Sequence, residues 1–244
     1  MCGRIGLAYS WKQLWETFKL SDPVPDDGIR LLNLGPSWKS GDSIHWSRVP
    51  VIRSTPEGRE AAGLIWPLIP TWLKGELPKF STANCRSEAG VPFSETVTKK
   101  PTFRNAWKRN QRCLVPVSWF YEWDQRSKPK QPWRILPRNG NFLTMAGLWE
   151  HSEMADGSHL GSFTIVTTEP NQLLTDIGHH RSPVMISPDQ WDTWLSESPT
   201  DAESLITPPP DDLMHAHQVT TRVNNPGYQE EDLLEDLQLK NQAD

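Results

Sequence analysis

The apolar residues of this chain come in short runs bounded by proline, glycine or asparagine. Its 244 residues include 22 Pro and 15 Gly, which interrupt helices and central strands alike. Runs of about five to seven apolar residues have the length of strands and are too short for long helices. The runs that we interpret as strands are residues 44–48, 112–116, 132–136, 142–148 and 162–167. This pattern predicts a mostly β fold.

Helical patterning is limited to a few segments. Residues 11–20 carry large apolar side chains at helical spacing. Ser187, followed by proline, is a suitable N-cap for a helix over residues 187–195. Further helical segments are predicted at residues 172–177 and 230–239. We therefore expect the α+β class: one mostly β domain of twisted antiparallel sheets forming a pseudo-barrel, with peripheral helices.

The chain shows no internal repeat and no long flexible linker, and residues 22–29 and 207–212 have the composition of loops. We expect one catalytic domain over residues 1–225, followed by an acidic tail or helix over residues 226–244. No apolar run reaches the 18 residues of a membrane span, and the first residues lack the pattern of a signal peptide. Three Cys without a C-x-x-C pair fit a reducing compartment. A cytoplasmic monomer is expected.

The formal net charge of −5 argues superficially against a nucleic-acid partner. However, the acidic residues concentrate in residues 197–212 and 226–244, whereas residues 98–112 contain no acid. The basic residues of that strip are Lys99, Lys100, Arg104, Lys108, Arg109 and Arg112. Such a strip either binds a polyanion or is an ordinary solvated surface, and charge alone leaves both interpretations open.

Cysteine at position 2 has a chemical consequence if Met1 is trimmed, as methionine usually is before a small side chain. Trimming leaves Cys2 with an α-amine and a thiol on one residue. The amine of such a 1,2-aminothiol forms an imine with an aldehyde, and the thiol then closes a five-membered thiazolidine ring. An α-amine has a pKa of about 7.7–8.0, so a useful fraction is neutral near pH 7. By position alone, chance is the simpler explanation for Cys2.

Seven motifs, taken in their order along the chain, favour a chemical role for Cys2 over chance. They are Met1-Cys2-Gly3-Arg4, Ile65-Trp66-Pro67-Leu68-Ile69-Pro70-Thr71-Trp72, Thr82-Ala83-Asn84-Cys85-Arg86-Ser87-Glu88, Arg112-Cys113-Leu114-Val115-Pro116 continuing to Trp119-Phe120-Tyr121-Glu122-Trp123, Ala146-Gly147-Leu148-Trp149-Glu150, Phe163-Thr164-Ile165-Val166-Thr167-Thr168 and His179-His180-Arg181-Ser182-Pro183-Val184. In this order and spacing, the chain resembles the SOS response-associated peptidase (SRAP) family from Cys2 to about Asn225. Each motif alone is weak, and the ordered set is specific.

The resemblance implies a protein of the DNA-damage response that senses and processes abasic sites in single-stranded DNA. Cys2 matches the residue that forms a thiazolidine with the opened deoxyribose. Asn84 matches a residue that lines the site, Glu122 the active-site carboxylate and His179 the active-site histidine. An amine that forms an imine can also cleave the strand by β-elimination, so a lyase activity is implied as well. No cofactor and no metal are expected.

The resemblance also implies a DNA-binding surface. Arg4 and Arg86 match residues that grip phosphates beside the lesion, and a guanidinium can donate two hydrogen bonds to one phosphate. Trp66, Trp72 and Trp123 lie in segments that resemble the DNA-contacting wall of the family. Exposed rings of this kind would stack on unpaired bases. The alternative for tryptophan is core packing, which we expect for most of the 13 Trp.

Residue chemistry supports these assignments. Glu122 lies among the aromatic side chains of Trp119, Tyr121 and Trp123, which should raise the pKa of its carboxyl and keep it protonated as an acid. Histidine titrates near neutrality, so His179 suits proton shuttling at the sugar. The alternatives are a carboxylate that faces solvent and a histidine with a purely structural role.

Three positions depart from the family pattern. Pro67 replaces a glycine, Cys85 places a second thiol beside the site, and Ser182 replaces an apolar methionine. Proline lacks a backbone N–H, so a contact there is expected to be lost. None of the three is a predicted catalytic residue, so we expect these departures to affect how the substrate is bound more than the reaction itself.

Three alternative functions stay open. A thiol autopeptidase would use Cys2 only to remove Met1 or a short leader. A non-catalytic module would bind single-stranded DNA with steep salt dependence and form no covalent product. A metal site built from Cys2, Cys85, Cys113 and His179 is the weakest alternative, because no ligand spacing supports it.

Overall fold

A computed structural model of the chain describes residues 2–21, 27–140, 142–154, 156–196 and 198–237. The strands are β1 Ile5–Ser10, β2 Gly28–Leu34, β3 Trp38–Ser40, β4 Ser43–His45, β5 Ser47–Thr55, β6 Gly58–Trp66, β7 Asn84–Arg86, β8 Arg112–Val117, β9 Trp119–Trp123, β10 Pro132–Pro137, β11 Leu143–Glu153, β12 His159–Thr168, β13 Ser182–Pro183 and β14 Met214–Gln218. The α-helices are α1 Trp11–Phe18, α2 Phe93–Thr98, α3 Arg104–Lys108, α4 Gln172–Ile177, α5 Trp191–Leu195 and α6 Pro199–Ser204. Short 3-10 helices lie at Thr71–Leu73, Pro188–Gln190, Thr221–Asn224 and Glu231–Leu234.

One sheet contains five strands in the order β14-β10-β9-β1-β2, all antiparallel. Strand β9 lies at its centre, with β10 on one side and β1 on the other. In the β1–β9 pair, Ile5 lies opposite Phe120 and Gly6 opposite Trp119. This pairing brings the residues before β1, which include Cys2, alongside the end of β9 that carries Glu122.

The second sheet closes on itself. Its strands run in the order β11-β8-β5-β6-β12, and β11 pairs again with β12 to complete a barrel-like ring. Strands β7 and β13 attach to β12. The predicted α+β class, a mostly β pseudo-barrel with peripheral helices, is confirmed. The pairs of β12 with β6 and β7 are parallel, which the prediction of antiparallel sheets did not include.

The main apolar core joins both sheets to the helices. It contains Ile5 and Phe120 from the first sheet, Val115 and Ile165 from the barrel, and Trp194 from α5, all buried. Of the 13 Trp, nine are buried or packed against a core cluster, as predicted. The other four are at least 39% exposed: Trp15, Trp38, Trp46 and Trp72.

Helix α1 forms where its sequence pattern predicts. The Ser10 side chain accepts a hydrogen bond from the backbone N–H of Gln13, whose side chain in turn accepts from Ser10, completing a capping box. Leu14 and Phe18 are buried against the core, and the helix ends at Lys19 in the left-handed conformation. The helices predicted at residues 172–177 and 187–195 also form, the second as a 3-10 turn leading into α5. Within the described residues, no helix combines the length and apolar character required to cross a membrane.

Several strands differ from the sequence prediction. The strand expected at residues 44–48 is divided at Trp46 between β4 and β5, which belong to different sheets. Strand β2 begins at Gly28, inside the expected loop 22–29, of which residues 22–26 lie outside the described residues. The sequence patterns also missed β1, β3, β6, β7, β9, β13 and β14. Their place in the sheets depends on pairing with other strands, which periodicity does not reveal.

The C-terminal segment does not form the helix predicted over residues 230–239 in its described part. A 3-10 helix covers Glu231–Leu234, and the backbone of Glu235 is extended. The Leu233 side chain inserts completely into a small apolar cluster with Tyr121 and Val223. One buried leucine anchors the segment, so a longer amphipathic helix is not needed. Residues 238–244 lie outside the described residues.

Gly6 tests the packing that holds β1 against β9. A Cβ atom at Gly6 would lie 2.0 Å from the ring of Trp119, which is buried. We predict that Gly6→Ala lowers the free energy of unfolding by at least about 2 kcal/mol, because the ring has no free space to move into. Urea denaturation would measure the change. Gly63→Ala is the matched control, since nothing lies within 4 Å of its Cβ position. Equal stability of the two variants would contradict this account.

Candidate active site

The backbone places Cys2 next to β9. The N–H of Tyr121 donates to the carbonyl oxygen of Arg4 at 2.9 Å, and the Cys2 side chain is only 1% exposed. Asn84, on β7, donates from Nδ2 to the carbonyl oxygen of Cys2 at 2.8 Å. Since β7 belongs to the barrel sheet, this hydrogen bond fixes the N-terminal segment between the two sheets.

Glu122 and His179 form a buried pair. Nε2 of His179 lies 3.0 Å from Oε2 of Glu122, and both side chains are at most 2% exposed. His179 directly follows α4, which ends at Gly178 with a φ of 89°, a conformation that favours glycine. The His179 N–H donates to the carbonyl oxygen of Leu174 at 2.8 Å. The left-handed turn therefore directs the imidazole back toward β9.

The hydrogen bonds of His179, taken together with the pKa shifts of both groups, assign the proton of the pair. Nδ1 lies 2.9 Å from the carbonyl oxygen of Arg181, which can only accept, so Nδ1 carries a hydrogen. In a neutral imidazole, Nε2 is then an acceptor, and the facing oxygen of Glu122 must donate. Burial raises the pKa of Glu122 from 4.5 to about 7 and lowers the pKa of His179 from 6.5 to about 4. Between about pH 4 and pH 7, the pair is mainly a protonated carboxyl and a neutral imidazole.

This assignment confirms the raised pKa expected for Glu122 and corrects the expectation for His179. The sequence suggested that His179 titrates near neutrality, but its burial lowers the pKa to about 4. Histidine is the stronger base in water, and burial reverses that order here because the neutral pair needs less solvation than the ion pair. Within the pair, Glu122 is therefore the proton donor, and His179 is a neutral acceptor.

A cavity of about 350 Å³ opens at this pair. Its lining residues are Glu122, Trp123, Gln125, Lys130, His179 and Asn224. Asn224 accepts a hydrogen bond from Nε1 of Trp123 at 2.7 Å, and Lys130 donates to Gln125 at 2.6 Å. Gln125, Lys130 and Asn224 lie outside the sequence motifs. A motif search gives no signal for them, because they reach the cavity from a loop and from the C-terminal segment.

The three thiols are all buried. Burial raises the pKa of Cys2, and the nearby Glu122 carboxylate adds to that increase. Burial also raises the pKa of Cys113, and that of Cys85 to about 12. Cys85 is thus a thiol packed in the core on β7, next to Asn84. Within the described ranges, no group of three or more His, Cys, Asp or Glu could hold a metal ion.

The predicted phosphate-binding residues occupy different environments. Arg4 is half-buried: its Nη1 donates to the Asn33 side chain and to the carbonyl oxygen of Val223, both at 2.7 Å. Its guanidinium lies 5.8 Å from the ring centre of Trp123. Arg86 is exposed at the end of β7, two residues from Asn84. Arg86 thus faces solvent near the site, whereas Arg4 has a clear packing role.

The structure corrects the expectation for Trp66. Its ring is completely buried, and its Nε1 donates to the carbonyl oxygen of Ala83 at 3.0 Å, so it offers no face to a base. Trp72 is 53% exposed and stacks on Phe80, with ring centres 6.0 Å apart. Trp123 lines the cavity. Trp66 is therefore a core residue, and Trp72 and Trp123 have accessible rings.

The basic residues of the strip at 98–112 are only partly exposed to solvent. Arg112 is 2% exposed, and its Nε donates to the carbonyl oxygen of Trp194 at 2.7 Å. Lys100 donates to the carbonyl oxygen of Arg86 at 2.8 Å. Arg104, Lys108 and Arg109 remain on or near the surface. Arg112 thus stabilises the end of α5 and is unavailable to a polyanion.

The raised pKa of Glu122 makes a prediction about stability. The folded state holds this proton more tightly than the unfolded chain does, so the contribution of Glu122 to stability falls as pH rises from about 4.5 to about 7. The lowered pKa of His179 has the opposite effect between about pH 6.5 and pH 4, so the Glu122 contribution is measured as the difference from a variant that keeps His179. The loss is up to about 3 kcal/mol. In Glu122→Gln, the amide can still donate to His179 without ionising. We predict that its Tm at pH 8 exceeds that of the wild type, by up to about 10 °C, and that the two converge at pH 5.

Thermal denaturation at both pH values measures this difference. Glu153→Gln is the control, because Glu153 is exposed and its replacement should not change the pH dependence of Tm. An unchanged or lower Tm of Glu122→Gln at pH 8 would show that ionisation of the buried Glu122 carboxyl does not destabilise the folded protein as predicted.

Comparison with known proteins places this geometry in a family. The family model described as SOS response associated peptidase (SRAP) matches residues 1–226. The abasic site processing protein YoqW of Bacillus subtilis (strain 168) is 32% identical over 239 residues, with 96% of this chain and 99% of that protein covered. The abasic site processing protein HMCES of Gallus gallus is 32% identical over 186 residues, with 66% of this chain and 52% of that protein covered.

Solved structures have the same fold. A protein from Bacteroides thetaiotaomicron superimposes with a TM-score of 0.77 at 22% identity, covering 96% of this chain and 99% of that one. A protein from Bordetella bronchiseptica superimposes with a TM-score of 0.70 at 28% identity, covering 90% and 100%. The match of the family model over nearly the whole described chain, together with these relatives, shows that this chain belongs to the SOS response associated peptidase (SRAP) family.

Proposed function

We propose that this protein processes abasic sites by joining Cys2 covalently to the aldehyde of an abasic site in single-stranded DNA. One observation carries the proposal: the backbone of Cys2 is fixed by Asn84 beside the buried Glu122–His179 pair. The names of the relatives, abasic site processing proteins, agree with this chemistry. The cavity at the pair has a volume of about 350 Å³, which is enough for the sugar of an abasic site.

The reaction begins with opening of the sugar ring, which moves a proton from the C1′ hydroxyl to the ring oxygen. The Glu122–His179 pair offers one donor and one acceptor for this exchange. Glu122 gives its proton to the ring oxygen, which frees the lone pair of His179 Nε2, and Nε2 then accepts the proton of the hydroxyl. The proton then returns from His179 to Glu122 across their 3.0 Å contact. The products are the free aldehyde and the pair in its original state.

Condensation follows once Met1 has been removed and Cys2 carries a free α-amine. The amine attacks the C1′ carbonyl carbon, and the resulting carbinolamine loses its hydroxyl as water with the proton of Glu122. The products are a protonated imine, water and the Glu122 carboxylate. General acid catalysis of this kind contributes about 10²- to 10⁴-fold. The pKa of about 7 suits Glu122 to this step, because the acid form is still abundant at neutral pH.

Ring closure regenerates the acid. The Glu122 carboxylate removes the proton of the Cys2 thiol, and the sulfur adds to the imine carbon to complete the thiazolidine. Burial raises the pKa of the thiol, so Cys2 remains protonated until the carboxylate forms beside it. The net reaction joins the aminothiol to the aldehyde with release of one water. A competing β-elimination of the imine would cleave the strand before the sulfur adds.

The position of Cys2 next to Glu122 also favours a second candidate function, autoproteolysis. The β1–β9 pairing, with Ile5 opposite Phe120, brings Cys2 alongside the end of β9 that carries Glu122. The thiol could attack the carbonyl carbon of residue 1 and form a thioester, which water then hydrolyses to release residue 1. This reaction would produce the free α-amine that the crosslink requires, so the two functions are compatible.

Replacing Cys2 tests both functions. We predict that the wild-type protein forms an adduct of protein plus oligonucleotide minus one water, and that Cys2→Ala reduces it at least tenfold. Intact-mass measurement detects the adduct. In protein made in cells that lack methionine aminopeptidase, the mass before DNA is added shows whether the protein has removed residue 1 itself. Cys85→Ala is the control, because it removes another buried thiol and should leave the adduct unchanged. An undiminished adduct with Cys2→Ala would rule out the proposed crosslink.

The rate of adduct formation should depend on pH with a maximum near neutrality. The rate rises as the α-amine, with a pKa of about 7.7–8.0, loses its proton. It falls as Glu122, with a pKa of about 7, ionises. Single-turnover rates at saturating DNA should therefore peak at about pH 7.4. Glu122→Gln should be slower by at least tenfold and lack the falling limb. A wild-type rate that keeps rising to pH 9 would contradict the role of Glu122 as the acid.

A further inference from the structure

A hairpin with exposed aromatic rings lies outside the site described above. It consists of β3 and β4, which pair only with each other among the described strands, and all six of their residues are exposed. Trp38 lies opposite His45, and their rings stack with centres 3.9 Å apart and planes 11° apart. We call this feature the Trp38 hairpin. The packing of the core does not explain why 47% of a tryptophan is left in water.

The base of the Trp38 hairpin is anchored to the core. Ser37 donates from its N–H and from its Oγ to the carbonyl oxygen of Trp66, both at 2.6 Å. Ser47 donates from its N–H to Oγ of Ser37 at 2.8 Å. Both ends of the hairpin are thus attached to the buried Trp66. The stacked rings extend from a rigid base, which favours a preorganised contact.

The same segment contacts the N-terminal residues of the site. A Cβ atom at Gly35 would lie 3.3 Å from Nε of Arg4 and 3.7 Å from the carbonyl oxygen of Gly3, the residue after Cys2. Trp38 follows Gly35 by three residues, so it lies within roughly 10 Å of that contact along the chain. The hairpin therefore begins at the edge of the site that contains Cys2.

The stacked rings of Trp38 and His45 are suited to binding a flat aromatic partner. One face of the Trp38 indole is covered by His45, and the exposed part can stack on a further ring. A nucleobase fits, since it stacks through its face and keeps its polar edges in water. A protein interface fits poorly, because such interfaces bury about 800 Å² per partner and this hairpin also presents Lys39, Ser40, Asp42 and Ser43.

We propose that Trp38, supported by His45, is a stacking platform for an unpaired base adjacent to the abasic site. This inference rests on the proposed function, since it takes the DNA bound at Cys2 as the partner. It also narrows the substrate: the strand must carry an unpaired base beside the lesion. Trp38 replaces the buried Trp66 as an aromatic DNA contact on this side of the site.

The test is equilibrium binding of a single-stranded oligonucleotide with a stable tetrahydrofuran analogue at the lesion, measured by fluorescence anisotropy. Trp38→Ala should raise the Kd about 5- to 100-fold. Trp38→Phe should keep most of the affinity, because it retains a ring. Ile44→Ala is the matched control, since Ile44 is an exposed aliphatic residue of the same hairpin and should bind as the wild type does.

A second oligonucleotide, in which the nucleotides flanking the lesion also lack bases, identifies the contact. The proposal expects Trp38→Ala and the wild type to bind this oligonucleotide equally. Equal affinity of both proteins for the base-bearing strand, or the same loss on both strands, would overturn the proposal. This readout does not require the covalent reaction. Failure of the wild type to form an adduct would therefore refute the proposed function and leave this test decisive.

Discussion

The hydrogen bond between Glu122 and His179 connects the two sheets of the fold at the point where the candidate chemistry lies. Glu122 is on the central strand of the five-stranded sheet, and His179 follows the helix after β12 of the barrel. The bond from Asn84 to Cys2 makes a second connection between the same sheets. The position of Cys2 therefore depends on how the sheets are joined, and a change in their packing would move the acid, its acceptor and the aminothiol together.

Burial of this pair links stability to chemistry. An ionised carboxylate in a dry site lowers stability, and the protein avoids that cost at acidic pH by keeping the proton on Glu122. The same proton is the one that an imine-forming reaction needs. His179 contributes because burial makes it a weak base, which leaves the proton on the carboxyl. A polar, solvated site would hold neither group in the protonation state that the proposed reaction requires.

The sequence predicted the fold class, helix α1 and the strands with strong local patterns, because alternation and capping are local signals. Strand β6 was missed: its Gly, Glu and Ala residues do not favour strands, and nine residue pairs with β5 hold it in the sheet. In the site, the motifs led to Cys2, Asn84, Glu122 and His179. They also suggested Trp66 as a DNA contact, and only the three-dimensional structure shows that its ring is buried while Trp38 is exposed. The neutral state of His179 depends on burial, which no motif contains.

The most direct test of the central claim is a carbon-13 NMR spectrum of the adduct, with the label at C1′ of the abasic site. The account predicts a saturated carbon bonded to both the nitrogen and the sulfur of Cys2, and the loss of this signal in Cys2→Ala. An unsaturated imine carbon beside a free Cys2 thiol, or a bond to any other residue, would contradict it.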